Sequence, residues 1–232
     1  MLRTLLPHLV AVLVLTACLR LAGWQLDRAE EKDLLVAQWA EAPALALSDL
    51  GESPPPFALV AGSGRFDTER HILLDNQLLN NHPGVHVFSL FSVEEGELRI
   101  LVNRGWQPWL RRTGEWPRFE TPEGPIELSG RLSPPPRVGF QLGEAEDLDS
   151  ESWPNLMTYF DLDKIRAVLG ADLHDQIVLL EPEHPLHLSS EPWRTVIMGP
   201  ERHRAYAFQW YSIALAVFLI WCFLGYRQIK RR

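Results

Sequence analysis

Two apolar runs, one at each end, constrain this chain more than anything between them. From Leu5 to Gly23 the sequence is apolar except for His8, Thr16 and Arg20, and from Tyr206 to Tyr226 it reads YAFQWYSIALAVFLIWCFLGY. Each run approaches the ~20 residues needed to cross a hydrocarbon core. Tyr206, Trp210 and Tyr211 flank one end of the second run and Trp221 and Tyr226 the other, as rings do where they settle at a bilayer interface. Transmembrane helices are therefore expected over 5–23 and 204–226, both in contact with the lipid bilayer.

Basic residues set the expected orientation. Arg3 lies in the short segment 1–4, and Arg227, Lys230, Arg231 and Arg232 fill the tail 227–232. Cationic flanks stay on the cytoplasmic side, so both tails are expected inside and everything between the spans outside. The middle is acidic: residues 27–202 hold all 30 acidic side chains against 15 basic ones, a net charge near -15. A surface of that sign repels phosphate backbones, so a nucleic-acid partner is not expected. The first run has a second reading. Leu15-Thr16-Ala17-Cys18 resembles the box that precedes a lipidated cysteine, although Leu19, Leu21, Ala22 and Trp24 carry the apolar run past it, as an uncleaved helix would. Cys18 and Cys222 sit roughly 20 Å apart in depth on such helices, too far for a disulfide.

Between the spans the pattern changes period. Leu34, Leu35 and Trp39 predict that the first helix continues outward over 24–42 until Pro43 stops it. Short β-branched and aromatic runs follow at 57–66, 71–76, 85–93, 98–106, 126–132, 155–161, 176–180 and 193–198. They are separated by turn chemistry such as Asn80-Asn81-His82-Pro83-Gly84, and Gly62-Ser63-Gly64 inside the first run predicts a bulge. Residues 137–154 are acidic and loop-like. Leu162, Ile165, Val168 and Leu169 predict one helix, with Asp161 or Asp163 as N-cap and Gly170 as its stop. The expected fold class is a membrane protein whose two terminal helices flank an extracytoplasmic α+β domain over 43–203, mostly an antiparallel sheet or partial barrel.

No HExxH, GxxxxGK[ST], GxSxG or CxxC occurs, so the usual spacings for zinc proteolysis, nucleotide binding, hydrolase elbows and thiol redox chemistry are absent. The histidines remain. His82 with His86, and His184 with His187, are loop pairs that either hold a soft metal or stay solvated; His8, in the first span, is expected to snorkel to the cytoplasmic interface. His203 lies at the outer mouth of the second span, above a helical stripe of Tyr206, Ala207, Trp210, Ala214 and Val217. That pattern allows either a helix-capping histidine or an axial ligand for a lipophilic haem. Arg20, Arg28, Arg202 and Arg204 fall at similar depth, where cations meet propionates.

Gly23-Trp24-Gln25-Leu26-Asp27-Arg28 with Lys32, Gly64-Arg65-Phe66-Asp67, Pro83-Gly84-Val85-His86-Val87, Leu101-Val102-Asn103-Arg104-Gly105-Trp106, and His203-Arg204-Ala205-Tyr206-Ala207-Phe208-Gln209-Trp210 occur in this order. Together they resemble the Surfeit locus protein 1 family over almost the whole chain. Phe88-Ser89-Leu90-Phe91 departs from the family's usual threonine-proline pair, and the segments 141–152 and 184–187 match nothing in it. The resemblance implies an assembly factor for a haem-copper terminal oxidase in a bacterial inner membrane, with a periplasmic domain and no enzymatic activity. It implies transient binding of haem a and its delivery to the oxidase catalytic subunit, with haem A synthase as a further partner. His203 corresponds to the family's haem-associated histidine. Trp24, Gln25, Arg28, Arg204, Tyr206 and Trp210 are the expected surroundings of that haem. Asn103 to Trp106 are read as structural, closing a strand and packing the base of the domain. A scaffold that carries no haem, or an extracytoplasmic metal-binding sensor, are the alternatives.

Overall fold

Continuous apolar strands, rather than alternating ones, mark a sheet that is covered on both faces. Residues 85–93 and 100–105 of the central unit, Glu41–Trp193, are of that kind. The computed structural model describes residues 2–51, 53–94, 96–110, 114–137, 143, 146–189, 191–193 and 198–230, the side chains of 2–4 excepted. The elements in chain order are helix α1 (Leu2–Ala40), strands β1 (Ala44–Ala46), β2 (Leu59–Leu79), β3 (His82–Val93), β4 (Arg99–Pro108), β5 (Ile126–Ser133) and β6 (Asn155–Met157), helix α2 (Leu162–Leu169), strand β7 (Leu173–Leu180) and helix α3 (Pro200–Lys230).

Strands β2, β3, β4, β7 and β5 pair in that order, and β5 pairs back onto β2, which closes a five-stranded barrel. Antiparallel pairing joins β2 to β3, β3 to β4, β5 to β7 and β2 to β5, while β4 and β7 run parallel. Two three-residue strands, β1 and β6, add parallel pairs to β2. All five barrel strands contribute to one buried cluster, including Val60, Phe66, Phe91, Val102, Leu128 and Val178, which is the barrel interior. The alternate residues Ile72, Phe88, Leu90, Leu101 and Ile177 form a second cluster outside it, beneath Ile165 and Leu169 of α2. Asp161 caps α2 by accepting from the amides of Asp163 at 3.0 Å and Lys164 at 3.1 Å, and Gly170 ends it at φ 122°.

Several local expectations are revised. Runs 57–66 and 71–76 are one strand of 21 residues, β2. The interruption at 67–70 is a bulge in which Asp67 Oδ1 accepts from the amides of Glu69 and Arg70, and a second irregularity carries Asn76 at φ 59°. Side-chain acceptors and an asparagine tolerant of positive φ let the strand bend without ending. The turn before β3 is only Asn80-Asn81, at φ 49° and 65°, as a two-residue hairpin with a primed turn demands, so Pro83 and Gly84 already lie in the ladder. No bulge occurs at Gly62-Ser63-Gly64, which stays in register with β5. Gly64 is required for another reason: a Cβ there would stand 2.4 Å from the carbonyl of Ser92. Strand 155–161 stops at Met157, and 194–197 of the strand expected over 193–198 lie outside the described residues.

The other unit comprises Met1–Ala40 and Arg194–Arg232, essentially α1 and α3. Both helices are long and apolar enough to cross a membrane, and only 11% of the most apolar window of each is buried by protein. In water that surface would stand exposed, so its natural solvent is lipid.

Candidate functional site

Small residues bring α1 and α3 together. Cys18, Ala22 and Ala29 are buried on α1, and Ala207 and Ala214 on α3. Small side chains allow two helix backbones to approach closely in a bilayer. Cys18, part of the lipidation-like box, therefore sits buried within an unbroken helix. Three polar contacts set the antiparallel register. Trp221 Nε1 donates to His8 Nδ1 at 2.8 Å near one end, so His8 is engaged by the partner helix rather than left to snorkel. Arg204 pairs with Asp33 near the other. Between them His203, 9% exposed, places Nδ1 2.7 Å from Gln25 Oε1.

The expected haem surroundings therefore separate. Gln25 and His203 meet directly. Trp24, next to Gln25, is 50% exposed on the outer face of α1, and Tyr206 is 45% exposed on α3. Tyr206 leaves the expected stripe because the buried positions of α3, 200, 203, 207 and 214, follow the 3.6-residue period without it; Trp210 lies on that stripe, half-buried. Arg28 binds Glu31 at 2.6 Å through Nη2, while its Nε is buried with no hydrogen-bond partner.

The paired loop histidines do not form metal sites as spaced in sequence. His184 has both ring nitrogens engaged, one by Glu127 O at 3.0 Å and the other by the amide of Leu186. His82 Nδ1 bonds to Asn80 O. Among the described residues no three histidine, cysteine or acidic side chains converge as a metal cluster. The fold instead brings His86 and His187 against the same indole: His86 stacks on Trp193 at 5.8 Å and His187 meets it edge-on at 5.4 Å.

Residues 103–106, in the second half of β4, carry a polar cluster. Arg104 is fully buried. Its guanidinium donates to Leu186 O, Thr121 Oγ1 and Glu120 O at 3.3, 2.8 and 2.5 Å, and lies 5.4 Å from the ring centroids of both Phe66 and Phe119. None of these partners is a carboxylate. Burial pushes its pKa down to about 10, so it remains a cation at neutral pH. Gly105, at φ 108°, packs beneath the His187 ring, and its amide and His86 Nδ1 converge on Asn103 Oδ1. Trp106 does not close the strand, since β4 continues to Pro108; its Nε1 donates to Gln77 O at 3.0 Å.

His71 extends this cluster. Its Nδ1 meets Ser89 Oγ at 2.9 Å, its Nε2 meets Thr68 O at 3.2 Å, and its ring stands edge-on to Phe119. Burial holds its pKa below the usual imidazole range, and the Arg104 cation lowers it further against the raising effect of Thr68 O. His86 is lowered in the same way, by burial first and by His187 as well. Such histidines are neutral when folded but take up a proton when unfolded. Stability is therefore full above about pH 6.5 and is lost as pH falls toward the folded value, at most about 1.4 kcal/mol per pH unit for each. The barrel's unfolding midpoint, followed by tryptophan fluorescence, should fall between pH 7.5 and 5.5, and the profile of His71→Gln should be flatter. Parallel profiles for the two proteins would refute that role for His71.

The SURF1 family model matches residues 12–215. A SURF1-like protein of Rickettsia bellii is 27% identical over 237 residues, covering 99% of this chain and 91% of its own length. Another, of Rickettsia felis, is 25% identical over 222 residues, covering 92% of this chain and 94% of its own. A third, of Rickettsia conorii, is 24% identical over the same span length, with 92% and 89% covered. Because the match begins inside α1, crosses the whole barrel and ends inside α3, this chain belongs to the SURF1 family.

Proposed function

We propose that this protein assists assembly of a haem-copper terminal oxidase by carrying haem a in the membrane and passing it to the oxidase catalytic subunit. The family is known for oxidase assembly. The observation that carries the haem reading is the state of His203. Its Nδ1 is bound to Gln25, so Nε2 is the ring nitrogen left to ligate. One imidazole with an available nitrogen, set between lipid-compatible helices, fits the iron of a porphyrin whose long tail excludes it from water. Trp210, on the stripe of His203, would offer ring surface, and Arg28 and Arg204 would meet its propionates by exchanging Glu31 and Asp33 for them. A single protein ligand suits a carrier, which must release what it binds.

In this reading the chain performs no bond chemistry. The basic last turn of α3, with Arg227 and Lys230, stays in the cytoplasm and the barrel faces the periplasm, as the charge rule requires. Haem A synthase is the source of the cargo. The test is an absorption spectrum of the detergent-purified protein produced alongside the enzymes that make haem a. A haem band is expected in the native protein, reduced at least about tenfold in His203→Ala. No band in the native protein, folded and with haem a present in the same membranes, would overturn the carrier reading.

A further inference from the structure

We propose that Gln25 is a positioning residue that fixes the tautomer of His203, holding the proton on Nδ1 and leaving the Nε2 lone pair as the helix pair's ligating atom. This rests on the haem reading above and specifies the chemistry of its ligand. An amide oxygen can only accept, so at 2.7 Å the Nδ1 atom must donate to Gln25 Oε1. A neutral imidazole carries one N–H, which leaves Nε2 bare. Burial of His203 keeps water from competing for the same bond. Gln25 belongs to the inward stripe of α1, with Cys18, Ala22 and Ala29, whereas its neighbour Trp24 faces outward. The sequence groups the two residues, but the helix assigns them to different surfaces.

The choice of a neutral acceptor also has a consequence. A carboxylate bonded to a ligating histidine raises its basicity, while an amide orients it without that gain. Two carboxylates on neighbouring turns are already committed, Asp33 to Arg204 and Glu31 to Arg28. An amide at position 25 thus combines a fixed ligating nitrogen with the moderate affinity that release requires.

The test uses full-length protein in detergent with ¹⁵N-labelled histidine, the His203 signals being identified by their loss in His203→Ala. The native protein and Gln25→Glu should show His203 protonated on Nδ1. Gln25→Leu should shift the proton to Nε2. On titration with haem a, Gln25→Leu should bind roughly 10–100-fold more weakly, and Gln25→Glu at least as tightly as the native protein. Protonation of His203 on Nε2 in the native protein, or an unchanged tautomer in Gln25→Leu, would overturn the proposal. A tautomer that responds as stated in a native protein that takes up no haem a would instead overturn the carrier reading and leave the assignment of Gln25 intact.

Discussion

Arg104→Ala should lower the unfolding midpoint of the barrel by about 10 °C or more, the largest stability effect expected of any single side chain here. The reason lies in how the cation is accommodated. Removing a guanidinium from water costs several kcal/mol, and among the described residues no carboxylate offsets that cost. Three charge-assisted hydrogen bonds, each about 1.5–3 kcal/mol, and two aromatic faces, each up to about 2 kcal/mol when desolvated, balance it. Alanine removes all five interactions together, leaves the three acceptors without their donor, and opens a cavity between Phe66 and Phe119. A loss of about 3–5 kcal/mol follows, and in a domain of this size each kcal/mol corresponds to roughly 2–4 °C. Arg104→Lys keeps the charge but cannot present a planar fork to three separated acceptors, so it should recover only part of the loss. Thermal melts of the full-length protein in detergent decide the matter. A shift under about 2 °C for Arg104→Ala would mean that the three acceptors are not held by Arg104.

Gly84→Ala should be nearly as damaging, although it adds one methyl group. A Cβ at that position would stand 2.2 Å from the carbonyl of Gln107 and 2.4 Å from the indole ring of Trp106. Both belong to β4, the strand paired with Gly84, so the backbone neighbour cannot turn away as a flexible side chain would. Either the β3–β4 ladder opens locally or Trp106 swings out and loses its bond to Gln77 O. The expected cost is about 2–4 kcal/mol, in the range of overpacking combined with a lost buried hydrogen bond. Gly124→Ala is the matched control, because a Cβ there meets nothing within 4 Å. Near-equal melting points for Gly84→Ala and Gly124→Ala would refute the close approach of the two strands.

Features set by short-range pattern were open to reading in the residues themselves. The two apolar helices, the Asp161-capped helix α2 and most of the strand segments depend on composition and period within a dozen residues. The family motifs were likewise visible as linear strings. Their physical roles were not, because those roles depend on residues far away in the chain. Arg104 is explained by Leu186, 82 residues distant, and by the rings of Phe66 and Phe119. His86 seemed to belong with His82, yet its partners are Asn103 and Trp193. Gly64 and Gly84 invited reading as bulge and turn, whereas what each lacks is room for a side chain against the next strand.

By itself, then, the sequence determined that both ends are membrane helices around a β-rich domain, since hydrophobic period and length are local properties of the chain. Closure of the barrel through β2 and β5, the burial of Arg104 with no counter-ion among the described residues, and the meeting of Gln25 with His203 across 178 residues were decided only by the tertiary structure. Each of these depends on which surfaces face one another, and no periodicity along one segment carries that information.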